Sequence, residues 1–186
     1  MRSIKILAAV AALSLVSSAF AETYKIDPVH SGVTFAAHHA GAGWVPGRFN
    51  QVSGEMNIAD DIAKSTFTVE IPVDSLNTNN DKRDQHLKSP DFFNAKQYPT
   101  ISFKSTSVEK TDDTHLKVTG DLTLHGVTKS ISFPVELTGT GEFPPGTKRY
   151  GVRSSFTVKL SDYAIKGLPG VVGDEIELNV MFEGAK

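Results

Sequence analysis

The chain has 186 residues, of which 39% are hydrophobic and 22% charged, with no cysteine and a formal net charge of −2 at pH 7. That length suits one domain with a substantial core. The missing thiols exclude disulfides, thiol redox chemistry and cysteine metal sites, and the mild acidity argues against nucleic acid, whose binding needs a basic face.

The N-terminus reads as a leader and not as part of the fold. Arg2 and Lys5 form a short basic region, 6–20 is an uncharged apolar run, and Ala19-Phe20-Ala21 supplies a small-residue cleavage site. The run falls short of the about 20 apolar residues of a membrane span. The expected organisation is therefore a cleaved Sec-type signal peptide over 1–21 and a single domain over 22–186. That predicts a soluble protein of the periplasm with no integral membrane segment.

After the leader, apolar and polar residues alternate with period two, the signature of strands with one dry and one wet face. The predicted strands are 23–26, 32–39, 47–58, 65–72, 100–108, 115–124, 127–137, 150–160 and 175–182. In 115–124, Leu116, Val118, Leu122 and Leu124 oppose His115, Lys117, Thr119, Asp121 and Thr123. The stretch 41–47, Gly-Ala-Gly-Trp-Val-Pro-Gly, reads as a loop whose Trp44 and Pro46 form a rim. Alternation stops between Asn77 and Tyr98, where 79–88 predicts a short polar helix with an Asn or Asp cap, ended by Ser89-Pro90. Phe92 and Phe93 follow as a plug for one end. His125-Gly126 predicts a tight hairpin, and 139–148, with Pro144-Pro145-Gly146, an exposed loop. Short links favour antiparallel neighbours, and a meander of this kind either stacks as a sandwich or closes as a barrel.

Few residues invite a chemical role. His38 and His39 are adjacent and point to opposite faces of a strand, and no H-x-H or H-E-x-x-H spacing occurs, so no metal site is expected. His39 shares parity with Val33, Phe35 and Ala37; it is either a core histidine bonded to a backbone carbonyl or a polar contact for the head of a bound molecule. Arg83, Asp84, His86 and Asp91 form a charged cluster without a G-x-S-x-G elbow. Their expected role is structural, with Arg83 or Lys88 pairing with acids and Asp91 capping the turn at Phe92. No strand-to-helix glycine fingerprint for a dinucleotide is present. The apolar inward faces, rich in the eleven phenylalanines, suit a solid core and a lumen equally well.

Four blocks together resemble the YceI family of periplasmic proteins. They are Tyr24-Lys25-Ile26-Asp27 with His30-Ser31 and Val33-Thr34-Phe35; Arg83 through Phe93; Tyr98-Pro99-Thr100-Ile101-Ser102-Phe103; and Gly120 through Lys129. They fall in family order over essentially the whole mature chain. The resemblance implies an all-β fold, an antiparallel eight-stranded lipocalin-like barrel with a short helix near one end. It also implies a tunnel that holds an isoprenoid lipid, of polyprenyl phosphate or quinone type, with no catalytic residues and no cofactor beyond that ligand. By matching positions, Val33, Phe35, Ala37 and His39 belong to the inward face of an early strand, and Phe92, Phe93 and Phe103 to the interior near the helix. Phe49, Phe67, Val69, Leu122, Phe133 and Phe156 complete the expected lumen. The function expected is that of a carrier and not an enzyme. Its rivals are a filled barrel acting as a stress or interaction protein, and an enzyme working on a bound lipid or quinone through His39 or the 83–91 cluster. The chain length of the cargo and the formation of a homodimer stay open.

Overall fold

The computed structural model describes residues 21–186; the expected leader lies outside the described residues except for Ala21. The strands are β1 (Ala21–Ile26), β2 (Gly32–His39), β3 (Gly43–Phe49), β4 (Ser53–Ala59), β5 (Thr66–Pro72), β6 (Leu76–Asn77), β7 (Thr100–Lys110), β8 (His115–Leu124), β9 (Val127–Glu142), β10 (Lys148–Lys159) and β11 (Val172–Ala185). One helix, α1 (Asp81–Lys88), stands between β6 and β7.

Register shows that the first six strands are three interrupted staves. β1 and β2 lie end to end along β11, with Ile26 opposite Gly184 and Val33 opposite Val180. β4 and β3 lie in the same way along β1 and β2, and β5 and β6 along β4 and β3. Taken so, the chain is an antiparallel meander of eight staves, each bonded to the next, and β11 returns to β1 and β2 to close the barrel. Closure pairs the first stave with the last and so removes the two outer edges an open sheet would have.

The interruptions at 27–31, 50–52 and 73–75 are neighbours in the wall, so the barrel bends there. Pro28 offers no N–H, and Ser31 substitutes a side chain for the ladder, its Oγ accepting from Glu183 N at 3.0 Å. Asp27 N still donates to Glu183 O at 2.8 Å. On the outside of this bend Arg149 bridges Asp27 and Glu183. The His30 hydrogen bond and then the Arg149 guanidinium hold the Asp27 carboxyl well below the usual range.

Side chains close the end opposite α1. Met56, Leu116 and Val118 are each 1% exposed, and burying side chains of this size contributes about 1.5–3 kcal/mol apiece. Tyr24 lies against Tyr150 with ring centroids 5.4 Å apart. Its hydroxyl donates to Glu22 at 2.7 Å, while Lys148 and Lys186 hold the other Glu22 oxygen at 2.7 and 2.9 Å. The Lys148 and Tyr24 bonds bring the Glu22 carboxyl down to about 2, and burial, then Glu22, pushes the Tyr24 phenol up to about 12.

Three predicted boundaries need correction. The stretch 47–58 is not one strand; it breaks at 50–52. The expected rim loop is largely strand β3, with Trp44 opposite His38 and Pro46 opposite Ala36; Pro46 is tolerated because β3 bonds to β6 only at Arg48 and Phe49. The expected loop 139–148 is half ladder, since Glu142 pairs with Lys148 and only 143–147 turns. In this last case the turn residues marked the tip correctly, but glycine and threonine hid the strand before it.

Candidate functional site: an apolar barrel cavity

Toward the α1 end the barrel is hollow. The cavity measures about 220 Å³ and is walled by inward residues of nearly every stave. β2 supplies Val33, Phe35 and Ala37, β3 supplies Val45 and Phe49, β5 supplies Phe67, Val69 and Ile71, and β7 and β8 supply Phe103 and Leu122. Phe133, Phe156 and Leu178 continue the ring through β9, β10 and β11, and Leu87, Phe92 and Phe93 floor it. Each residue expected in the lumen thus borders the cavity, with His39 at its mouth. Val45, Thr78, Leu87, Ile131 and Val172 border it too and were not anticipated. Ile131 and Val45 keep the parity of Phe133 and Phe49, a signal that the glycines and proline around Val45 obscured.

Aromatic rings run along the lining in two strings. Phe35, Phe49 and Phe93 follow one another at centroid spacings of 5.6 and 6.4 Å. Phe103, Phe133 and Phe156 do so at 5.2 and 4.3 Å, the last pair stacked 10° from parallel. Two rings lie flat on the wall because glycine lies beneath them. A Cβ at Gly47, the cross-strand partner of Phe35, would come within 2.2 Å of the Phe35 ring, and one at Gly120 within 2.5 Å of both the Phe103 ring and the Lys104 carbonyl oxygen.

The floor is held by α1. Asn80 caps it as the sequence predicts, accepting from Arg83 N at 3.0 Å. Asp84 is buried and accepts from both the backbone N and the hydroxyl of Thr78. Arg83 does not pair with an acid: its Nε and Nη2 donate to the hydroxyl and carbonyl of Thr78, both at 2.7 Å. Lys88 likewise donates to the Asp74 carbonyl at 2.7 Å. Asp91 does not cap the turn; its carboxylate meets His86 Nε2 at 3.1 Å, and the Phe92 N–H goes to Ser89 O. The cluster is therefore a brace: Arg83 and Asp84 bind the loop before the helix, and His86 ties the helix to Asp91 after it.

The histidines are spread as expected. His38 faces outward against Trp44 at 5.1 Å. His39 lines the cavity but is exposed and makes no side-chain hydrogen bond among the described residues, so it is not a core histidine tied to a carbonyl. Asp27, His30 and Glu183 have ligand atoms close enough to share a cation, yet Arg149 already occupies that place as their counter-charge. No carboxylate borders the cavity among the described residues. Its chemistry is that of a solvent for hydrocarbon: it can take up apolar matter and offers no acid–base pair to transform it.

Comparison with known proteins agrees with this architecture. The YceI-like domain profile matches residues 24–184. Protein YceI of Escherichia coli O6:H1 is 40% identical over 172 residues, covering 91% of this chain and 90% of its own. The crystal structure of Burkholderia cenocepacia BcnA superposes with a TM-score of 0.77 at 20% identity, over 85% of this chain and 98% of that one. A polyisoprenoid binding domain from Saccharophagus degradans does so with a TM-score of 0.68 at 18% identity, over 87% and 97% of the two chains. The two structural likenesses are likenesses of fold.

Proposed function

This chain belongs to the YceI-like family, and from that premise we propose that it is a periplasmic carrier holding an isoprenoid lipid, of polyprenyl phosphate or quinone type, by its tail in the barrel cavity. The observation that carries the reading is a hollow, apolar, carboxylate-free lining toward the α1 end of a barrel whose other end is closed by buried side chains. At about 10–15 Å³ for each water-sized group, the cavity has room for roughly 15 to 20 such groups in file. At about 0.8 kcal/mol per buried methylene that is a gross gain of roughly 12–16 kcal/mol. Association costs of about 4–15 kcal/mol leave this favourable for a tail that fills the space.

The head of the lipid stays at the mouth, where His39 is exposed beside Ala37 and Val45 and offers a polar contact. The polyisoprenoid-binding character of the Saccharophagus degradans domain supports the choice of ligand class, and the leader-like 1–21 supports the compartment. Among the described residues no helix is long and apolar enough to cross a membrane. The protein stores or moves its lipid without transforming it: among the described residues no carboxylate borders the cavity to pair with His39 at its mouth.

Mass spectrometry of an organic extract of the protein purified from the periplasmic fraction tests the reading. An isoprenoid lipid should co-purify in a fixed ratio to protein. A protein that emerges empty and takes up no hydrocarbon on exposure to a lipid extract refutes it. Turnover of an added lipid, lost on Asp84→Ala or His86→Ala in a folded protein, would make it an enzyme instead.

A further inference from the structure

The wall of the barrel is incomplete along one seam. β9 stays bonded to β8 down to Val127 opposite Leu124, and β10 stays bonded to β11 down to Lys159 opposite Glu175. Between themselves, β9 and β10 pair from Glu142 opposite Lys148 only as far as Glu136 opposite Arg153. Below that rung they run on with no backbone pairing to each other. At about 3.3 Å per residue, the unpaired stretch of β10 from Ser154 to Lys159 is a slit roughly 20 Å long.

The sequence builds the slit. The Pro134 carbonyl accepts a hydrogen bond from the Ser154 hydroxyl of β10. In an extended strand a residue's N–H and C=O face the same neighbour, so the nitrogen of Pro134 also faces β10, where its missing N–H ends the ladder. A hydroxyl satisfies the carbonyl that a backbone amide would otherwise take. The slit is tied at both ends. Above, Arg153 Nε meets Glu136 at 2.7 Å. Below, His125 Nδ1 meets the Tyr163 carbonyl at 3.1 Å and fastens the β8–β9 hairpin to the turn after β10.

Side chains, not backbone, close the opening. Continuing the register of Glu136 and Arg153 puts Phe133 opposite Phe156, and these are the two stacked rings. Both rings are partly exposed and both border the cavity. Arg153 is exposed and on the outward parity of its strand, yet it borders the cavity as well, so the hollow reaches the outer surface here.

We propose that this slit is a lateral portal, gated by Phe133 and Phe156, through which an apolar tail passes sideways into and out of the cavity. The inference rests on the tail-binding reading above and adds to it a route and a ligand class. Turning two rings breaks no ladder bond and admits a tail along its length, whereas the mouth beside His39 admits it only end first. A tail admitted sideways need not fit inside the barrel along its whole length, so the portal suits chains longer than the cavity.

A chain without cysteine permits a clean test. Ser132→Cys and Thr157→Cys place thiols on the two exposed lips, to be joined by a short, reducible bis-thiosulfonate staple. A control pair, Thr157→Cys and Glu177→Cys, spans the intact β10–β11 ladder. The probe is diphenylhexatriene, a slender apolar fluorophore, added to the purified full-length proteins. The lip staple should slow both uptake and release by about tenfold or more, reversibly on reduction and with the amount bound unchanged, because it blocks a gate and not the site; the control staple should not. Pro134→Val, which restores an N–H facing β10, should slow exchange without any thiol, and Phe156→Ala should speed it. Equal rates with and without the lip staple, in protein shown by intact mass to carry it, overturn the portal while leaving the cavity reading in place. No probe uptake by any form overturns both.

Discussion

Substituting Ala37 with Phe separates a hollow interior from a packed one. Ala37 borders the cavity on β2, between Val45 of β3 and Ile176 of β11, and the change adds a phenyl ring on that face. Its six carbons occupy roughly 60–90 Å³ at about 10–15 Å³ each, over a quarter of the 220 Å³ present. If the space is empty of protein, the ring enters it without strain. The melting temperature should then hold within about 2 °C, and the hydrocarbon retained per protein should fall by roughly a third. If the interior is already full, the ring must force its neighbours apart at about 1–3 kcal/mol. For a domain of this size that is a drop of roughly 2–12 °C. Scanning calorimetry and lipid extraction on the same sample read both quantities. A lowered melting temperature with unchanged lipid content refutes the argument.

Other consequences are as direct. Asp84→Ala removes the acceptor of two Thr78 hydrogen bonds and strands a buried N–H, which should cost about 2–4 kcal/mol in a denaturant titration, with Asp84→Asn milder; a loss under about 0.5 kcal/mol would mean that the floor is held by something else. The Tyr163 hydroxyl is the buried side-chain polar atom without a partner among the described residues, so Tyr163→Phe should be neutral or stabilise by about 1 kcal/mol, and a marked loss would reveal a hidden partner. The Glu22 carboxyl sits at about 2 in the folded chain against 4.5 for the free side chain. Its stabilisation is therefore complete above pH 4.5 and lost as pH falls toward 2, and Glu22→Gln should flatten the stability profile across that window. An unchanged slope would show that Lys148 and Lys186 do not hold it in solution.

Period-two alternation made the meander legible because each stave has one wet face, and parity carried the strand residues of the lumen list, while Phe92 and Phe93 came from the family resemblance. Three features were beyond that signal. The broken staves at 27–31, 50–52 and 73–75 depend on where neighbouring strands bend together, which no single segment records. Trp44 and Pro46 looked like loop because glycines flank them, although a proline on the β3 edge costs no bond. Arg83 carries a charge that promised an acid partner, but the loop carbonyl and hydroxyl of Thr78 lie nearer than any carboxylate. The slit was legible only in part: Pro134 sits on the polar parity of its strand, and its effect on the ladder needs the partner strand to be known.

Gly47 and Gly120 set the calibre of the conduit. The Phe35 and Phe103 rings lie back against the wall only because those two positions present bare backbone, so the width of the bore is fixed by atoms that are absent. A methyl at either place would lift a ring toward the axis by about 1–2 Å, the distance to an ordinary carbon–carbon contact, and narrow the passage by that much. Selection among straight, branched and bulky tails is thus adjustable from the staves themselves, one hydrogen exchanged for one methyl, with no change to any residue a ligand would touch.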